Sequence, residues 1–549
     1  MNRLRGNPWA ILLALCTGFF MTLLDLTIVN IAIPDMTRQL GAPLDLIMWV
    51  INGYTLALAV LIITAGRLGD LFGQRRLFLI GVAVFTAASA LCGLAVGVYT
   101  LIAARVLQGV GAAILMPQSM ALVVRVFPAD RRGAALGVWG SVAGLATIAG
   151  PTLGGLLVSA FDWRFIFFVN VPLGAVALAL AWALIPRDPS ASGRARLDLT
   201  GVLLATAALT CLSFGLIEGE RFDWGRIYGP LSIPLLLAAS AVLFAVLAVQ
   251  QRARQPRDPL IPFVLFADRN FGLMSLAAAL VSVAMLGFFL MFSIHLQSVA
   301  GMSALEAGLT MAPMSVVSMV TAPVVGRLID RLGGKHFLAG GSALFAGGVG
   351  WLVWLLGVQG DWLTYLPPLL VMGLGVGSVF GPMNTLAMYR VRPSMAGAGS
   401  GVLNTVRQLG SVLGTAVVAA VMQAVLAARL ADRAERRAGE LPPEVREPFV
   451  SGLVAGARRG VEVGGAAAVR PQPPPGVSDE VAAHMGRLAG QVFRHAFVDT
   501  AHVVGLLPVA ALAATFLCAL LVRDTRERRG GRSTAEPVRS AASERPRRA

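Results

Sequence analysis

Hydrophobic and polar positions along this chain alternate over tens of residues, on the scale of whole helices. Apolar runs of spanning length fall near 9–33, 44–65, 77–96, 98–124, 133–159, 164–185, 200–217, 230–250, 271–297, 305–325, 337–357, 362–388, 398–426 and 502–522. A helix crosses the roughly 30 Å hydrocarbon core with about 20 apolar residues, so the pattern predicts fourteen transmembrane helices. Runs such as 77–96 and 98–124 are separated by almost nothing and predict tight hairpins. The segment 427–501 breaks the rhythm, being rich in Ala, Arg and Pro (Arg470-Pro471-Gln472-Pro473-Pro474-Pro475). Its last part, Ser478 to His502, reads as an amphipathic helix running into the final span. After Arg523 the chain is rich in Arg, Ser and Glu with no apolar face. That composition predicts a disordered basic tail drawn to anionic inner-leaflet lipid.

Composition agrees with the pattern. Of the 549 residues 56% are hydrophobic and only 13% charged, about half the charged share of soluble domains. The net charge of +16 is almost all arginine, and Lys335 is the only lysine. A basic balance can signal nucleic acid, but here the charge is scattered in short loops. It fits orientation in a membrane better. With the N-terminus inside, the short inner loops hold Arg67, Arg75, Arg76, Arg125, Arg131, Arg132, Arg327, Arg331, Lys335 and others, while the outer ones hold only Arg38, Arg164, Arg221 and Arg226. The positive-inside rule then places both termini in the cytoplasm and the 427–501 loop outside. The four cysteines lie in apolar runs, which predicts neither a disulfide framework nor a metal site. The first run lacks a small-residue cleavage site and does not read as a signal peptide.

An internal repeat organises the fold. Gly66-Arg67-Leu68-Gly69-Asp70-Leu71-Phe72-Gly73-Gln74-Arg75 returns 260 positions later as Gly326-Arg327-Leu328-Ile329-Asp330-Arg331-Leu332-Gly333-Gly334-Lys335. Both copies follow an even-numbered helix and face the cytoplasm. A same-handed repeat of six helices is the layout of one large transporter class. The expected fold is an all-α polytopic membrane protein made of two six-helix bundles plus two inserted helices. Its parts are 1–190 for the N-terminal bundle, 191–262 for the inserted pair, 263–522 for the C-terminal bundle and 523–549 for the tail.

Two charges lie deep inside apolar runs. Asp25 belongs to Leu24-Asp25-Leu26-Thr27-Ile28-Val29-Asn30-Ile31-Ala32-Ile33-Pro34, and Arg105 lies in helix 4. An intramembrane carboxylate is expensive and marks a functional site unless it merely hydrogen-bonds a neighbouring helix. Counted from the outer helix ends, both residues sit about 10–12 Å below the surface, so an ion pair is geometrically possible. A guanidinium favours the ionised carboxylate and burial favours the neutral one. A proton carrier needs these pulls in balance, although a permanent structural bridge would use the same two residues. In the repeat, Asp70 is placed to cap a helix start, or the segment only fixes topology through its arginines. In helix 5, Ala146, Gly150 and Gly154 share one face for a close crossing, and Pro151 is expected to bend the helix.

These stretches, in this order, resemble the fourteen-helix drug:proton antiporters of the major facilitator superfamily, across the chain apart from loop and tail. Leu24 to Pro34 is similar to that family's helix 1 signature. Gly66 to Arg76 (Gly66, Asp70, Gly73, Arg75 and Arg76 being its key positions) resembles the loop 2–3 gating motif, and Leu101 to Ala113 the helix 4 motif. Gly150-Pro151-Thr152-Leu153-Gly154-Gly155 is similar to the antiporter motif of helix 5, where the family usually carries glycine at the place of Ala146. Trp163 to Gly174 and Gly399 to Gly410 resemble stretches of the same subgroup. The resemblance implies that Asp25 and Arg105 couple a proton, and that Asp70 contacts the start of helix 13, near Gly399, and locks one access state.

The glycine-rich stretch Gly373 to Gly381 lies in a membrane helix with no Lys-Ser/Thr after it, which excludes a nucleotide loop. No Ser/His/Asp or Cys/His set converges, so no enzyme is expected. His295 reads as an interfacial residue at the outer end of helix 9. Arg407, in the inner third of helix 13, reads equally as a cavity cation or a packing donor. Expected cavity residues in the first half are Met21, Thr27, Asn30, Gln108, Met116 and Gln118. In the second half they are Met285, Phe289, Met314, Met383 and Asn384. Methionine and aromatic side chains suit loose recognition, and also suit plain packing. The expected function is proton-coupled export of lipophilic, monocationic or neutral drug-like compounds (multidrug efflux), from a monomer in a bacterial cytoplasmic membrane. The proton is the coupling ion; small-molecule substrate and lipid are the partners, with no other cofactor, no nucleotide and no nucleic acid. The rival on the same fold is a dedicated exporter of one endogenous metabolite, lipid or siderophore; from another class, a non-transporting receptor or lipid-handling scaffold.

Overall fold

The computed structural model describes residues 7–128, 131–187, 197–219, 221–222, 224–255, 259–458 and 477–523. The proline-rich part of the outer loop and the tail after Arg523 lie outside the described residues. The first five helices are α1 (Pro8–Leu40), α2 (Leu44–Phe72), α3 (Gln74–Gly93), α4 (Val98–Val126) and α5 (Arg132–Ala160). They are followed by α6 (Phe165–Leu184), α7 (Leu199–Ile217), α8 (Ile233–Arg254) and α9 (Arg269–Ile294). Then come α10 (Ala304–Leu332), α11 (Lys335–Leu355), α12 (Trp362–Met388), α13 (Ala396–Ala438), α14 (Pro443–Arg458), α15 (Asp479–Val504) and α16 (Leu506–Leu521). Thirteen spans among the described residues are long and apolar enough to cross a membrane, the last being α15 and α16 together. Beside them α5, 29 residues long, packs along α1 and α10.

Local chemistry explains where helices start and stop. Pro8 opens α1 behind Asn7, whose side-chain oxygen accepts the Trp9 N–H at 3.0 Å. Ser303 and Glu306 form a reciprocal capping box at the start of α10. In the repeated turn, Gly73 (φ 99°) separates α2 from α3, and Gly333 (φ 87°) ends α10. This is the left-handed region that favours glycine, so the repeat carries a glycine where the backbone requires one in both halves.

The α7–α8 hairpin stands to one side. It is joined outside by a short antiparallel ribbon, Arg226–Tyr228 against Leu231–Ser232, and α8 packs on α7, which leans on α2 and α13. Its inner end is tied by Asp198, which accepts from the Gly201 N–H at 3.0 Å and the Gln251 amide at 2.6 Å. Burial pushes this carboxyl up, but bonds from Gly201, Gln250 and Gln251 and the nearby Arg254 outweigh it and hold the pKa below the ordinary carboxylate value.

Two expectations are corrected. Helix 13 does not stop near 426: α13 is one helix of 43 residues, about 65 Å long, which is longer than a bilayer crossing needs. Its overhang continues the buried stripe Met422, Leu426, Leu430, Ala434 and Ala438. On it pack α14, through Val445, Phe449 and Leu453, and α15, through Leu488, Val492, Phe493 and Ala496. Much of the outer segment is therefore a helical subdomain with its own core, pinned by Arg433 to Asp499 at 2.6 Å. The amphipathic helix expected over Ser478 to His502 is α15. The second correction is His295. It is fully buried rather than interfacial, because α15 lays Phe497 over it (ring centroids 6.3 Å apart) and its Nε2 lies 3.0 Å from the Tyr365 hydroxyl.

Two outcomes follow. Phe449→Ala should cost about 3–5 kcal/mol of local packing and make Pro443–Arg458 sensitive to external protease while the protein stays inserted; unchanged cleavage in intact spheroplasts would show that this core holds nothing down. Asp198 has a depressed folded-state pKa, so its contribution to stability is present above its unfolded value of about 3.9 and is lost as pH falls through the folded value. Melting curves across that window should show a loss in the wild type that Asp198→Asn, already destabilised at neutral pH, lacks.

Candidate functional site: a buried ion pair and two inner latches

The buried polar cluster is assembled inside the first six helices. Asp25 on α1 and Arg105 on α4 form an ion pair in which the side chains are 0% and 1% exposed. The Arg105 Nε–H donates to the Val50 carbonyl of α2 at 2.8 Å, and its NH1 to Gln108 Oε1 at 2.7 Å. The Gln108 amide donates in turn to Asp25 Oδ1 at 2.8 Å and to Ser89 Oγ on α3 at 2.7 Å. Asn170 on α6 donates to the same carboxylate oxygen at 3.3 Å. The guanidinium also stacks over the Tyr54 ring at 4.4 Å, and the Tyr54 hydroxyl donates to the Thr22 carbonyl.

Five helices thus contribute to one buried cluster around Asp25. Placing two charges in a low-dielectric interior is costly unless the geometry is good and the remaining donors are satisfied. Here Gln108 touches both partners at once, which is what stops the pair from being an isolated dipole. The arrangement can hold Asp25 ionised, and a proton on it would cancel the attraction that fixes Arg105. Residues that sequence reasoning did not single out, Ser89, Asn170 and Tyr54, complete the shell. The available signal is polarity: each is a hydrogen-bonding side chain inside an apolar run.

The second feature lies at the inner ends. Asp70 accepts from the backbone N–H groups of Gly397 and Ala398, both at 2.7 Å, at the start of α13. Asp330, its repeat partner, accepts from Gly133 and Ala134, both at 2.9 Å, at the start of α5. Each carboxylate takes two of the unpaired amides at a helix N-terminus, where the dipole favours an anion. Close backbone approach accompanies both. A Cβ on Gly66 would lie 2.5 Å from the Gly397 carbonyl oxygen, and one on Gly326 would lie 2.7 Å from that of Gly133. The two halves are clamped at one end by the same device used twice.

This duplicated geometry agrees with the comparisons. The family model described as Major Facilitator Superfamily matches residues 15–415. The chain belongs to the major facilitator superfamily. It is 42% identical over 409 residues to an uncharacterized MFS-type transporter, Rv1250, of Mycobacterium tuberculosis, covering 74% of this chain and 69% of that one. It is 35% identical over 412 residues to the tetracenomycin C resistance and export protein of Streptomyces glaucescens, covering 75% of each. The solved structure of the MFS proton:xylose symporter XylE superposes with a TM-score of 0.55 at 12% identity, covering 88% of this chain and 94% of that one. That likeness establishes the fold alone. As a major facilitator protein the chain is a multi-pass membrane transporter of small molecules, built all of helices in its spans.

The remaining expected residues separate into groups. Thr27 donates to the Ala146 carbonyl of α5 at 3.2 Å, and a Cβ on Gly150 would meet the Thr27 hydroxyl at 2.0 Å. Ala146, Gly150 and Gly154 therefore form a close seam against α1, as their spacing predicts, while nothing lies within 4 Å of a Cβ on Gly155. Helix α5 runs unbroken past Pro151, whose side chain lies outside the described residues. Two expected cavity residues serve other ends. Gln108 belongs to the ion-pair shell, and Gln118 donates to the Ala65 carbonyl of α2 at 2.7 Å and fills the space beside Gly69. Met21, Met116, Met314 and Met383 are buried in packing, Met285 and Phe289 are half-buried on α9, and Asn30 is exposed. In the gating motif, Arg75 reaches the Trp182 carbonyl at 2.8 Å, and Arg76 makes contacts of its own.

The latches generate a paired outcome. Asp70→Asn and Asp330→Asn each weaken two charge-assisted bonds, on the order of 1.5–3 kcal/mol per bond, and both should shift the population toward inward-open. The sites share no partner, so the double substitution should be close to additive. Reactivity of single cysteines at the two membrane faces reads this out. A shift from Asp70→Asn with none from Asp330→Asn would mean that only one latch bears the closure.

Proposed function

We propose that this chain is a proton-coupled antiporter that exports lipophilic, drug-like compounds across a bacterial cytoplasmic membrane by alternating access, with both termini inside. The observation that carries the reading is the Asp25–Arg105 pair, enclosed by Gln108 and Asn170 at the junction of α1, α2, α4 and α6. Support comes also from the similarity to a resistance and export protein, and from the asymmetry of arginine between inner and outer loops.

In this mechanism the proton is the coupling ion. While Asp25 is charged, it holds Arg105 and Gln108, and through the Arg105–Val50 bond it tethers α2 to α4. Protonation removes the charge that pays for burying the guanidinium, loosens this tether and changes how α1 and α4 pack. The inner latches hold the cytoplasmic end shut, which belongs to a state closed to the cytoplasm. Loading a proton there and delivering it inward completes an exchange cycle. Alternating access then amounts to rocking of two six-helix units, 1–190 and 263–522, with the α7–α8 pair of 191–262 as an insertion packed on α2 and α13. The protein works as a monomer in lipid.

The expected preference for monocations rested on Asp25 facing the cavity. The structure encloses that carboxylate inside the first half, so it does not offer a cation a counter-ion.

Asp25→Asn should leave an inserted protein that still equilibrates a fluorescent neutral substrate but no longer concentrates it under a pH gradient in proteoliposomes. Arg105→Ala should be more damaging, because it leaves a buried carboxylate unpaired at a cost of about 3–5 kcal/mol. Uphill export by the Asp25→Asn protein at the wild-type rate would remove Asp25 from the coupling step.

A further inference from the structure

The inference concerns cargo charge, and it rests on the exporter reading above. Four carboxylates on the spanning helices have partners. Asp25 is engaged by Arg105, Asp70 and Asp330 by helix starts, and Glu306 by its own capping box. Arg407 is different. Its guanidinium donates to Asn404 Oδ1, one turn earlier on α13, and it has no carboxylate partner among the described residues. It stands about 16 Å along the helix from Ala396, close to the middle of a hydrocarbon core about 30 Å thick. A cation at that depth is expensive, faces a polar cavity or a partner, and marks function by default.

The packing of α13 fixes where Arg407 points. One seam, Gly397 and Gly401, lies against Gly66 and Ile63 of α2. Another, Gly410 and Gly414, lies against Ala279 and Val283 of α9. Between these seams Ser400, Asn404, Arg407 and Ser411 follow one another at helical spacing and form one stripe. At its inner end Ser400 donates to the Pro117 carbonyl of α4 at 2.9 Å, so the stripe faces the other half of the molecule. Across that gap, α12 turns Gly381 toward Gly137 of α5, and Asn384 follows one turn later. Asn384 is 1% exposed, and its Nδ2 has no acceptor among the described residues. Two donors thus stand along the boundary between the halves, Asn384 Nδ2 with no acceptor and Arg407 with a neutral one only. One carries a full positive charge.

We infer that Arg407, assisted by Asn384, is an anion-recognition element of the cargo site, and that the exporter prefers lipophilic acids whose carboxylate or ionised phenol docks on the guanidinium. The planar fork of arginine suits a carboxylate in two parallel bonds, and it cannot be neutralised by deprotonation. A lipophilic cation in the same place meets a like charge with no carboxylate to offset it.

The test uses the purified full chain with three probes of one shape: 9-anthracenecarboxylate, its methyl ester and 9-(aminomethyl)anthracene. Binding is read from anthracene fluorescence at neutral pH. The acid should bind about tenfold or more tighter than the ester, and the amine weakest. Arg407→Gln should erase the acid's advantage while the ester's Kd stays within about twofold. Arg407→Lys, which keeps the charge and loses the fork, should retain part of it. Asn384→Ala should lower affinity for the acid alone. The inference is overturned if acid and ester bind alike, if the amine binds tightest, or if Arg407→Gln weakens acid and ester equally, which is the mark of a packing role. Ester export driven by a pH gradient in proteoliposomes separates the two claims. If it persists without an acid preference, only the anion site fails; if the preference holds while neither probe responds to the gradient, only the exporter reading fails.

Discussion

A charge placed in hydrocarbon has to find a partner within the protein, because water is not there to supply one. Most of the specific geometry of this chain is a solution to that problem. Asp25 is met by Arg105 and Gln108 of α4 and by Asn170 of α6. Asp70 and Asp330 are met by backbone amides that a helix start leaves free in any case. The two solutions differ in what breaks them. An ion pair inside a bundle responds to a proton, whereas a carboxylate on a helix N-terminus responds to a rigid shift of the element that presents the amides. One device suits coupling and the other suits gating.

Duplication makes the gate symmetric. Gly66 and Gly326 let backbones touch, Asp70 and Asp330 bond across the same gaps, and Gly73 and Gly333 make the turn that follows. Because each half supplies one carboxylate and one receiving helix start, neither bundle can rock outward at its inner end without breaking both contacts. The buried ion pair is not duplicated, since Arg105 and Asp25 belong to the first half alone. The molecule is therefore symmetric in how it closes and asymmetric in what it senses.

The sequence made much of this visible. A lone Asp inside an apolar run stands out, and so does an Arg at matching depth on an antiparallel helix. Asp70 was assigned to a helix start near Gly399, and it bonds at Gly397 and Ala398. Asp330 was visible as a repeat, but its target at Gly133 was not, because the start of α5 follows a pair of arginines and carries no capping side chain. The reach of α13 was hidden for a different reason. Past Leu426 its residues turn polar on one side only, and a hydropathy window averages that stripe away. His295 is hard to read from sequence because its cover, Phe497, lies some 200 positions away on the amphipathic helix α15. Gln108 and Gln118 look alike in sequence, each an amide in α4. Only the neighbouring helices decide that one braces a carboxylate and the other caps a carbonyl.

The separation of sites bears on how the two activities communicate. On the roles proposed above, Asp25 within the first half takes the proton and Arg407 on the second takes the cargo, so the two do not compete for one group. Coupling has to pass through elements that both sites touch. Helix α4 carries Arg105 in its outer part and the Pro117 carbonyl, to which α13 is bonded by Ser400, in its inner part. Helix α1 carries Asp25 and, half a turn on, Thr27, which bonds the α5 seam whose inner end is held by Asp330. A change in the charge of Asp25 therefore acts on two helices that each end at a contact between the halves, one beside the cargo stripe and one at the latch. Such an arrangement needs no direct contact between proton and substrate. It needs only that α1 and α4 move as rods, and their close-packed glycine seams against α5 and α2 keep them so.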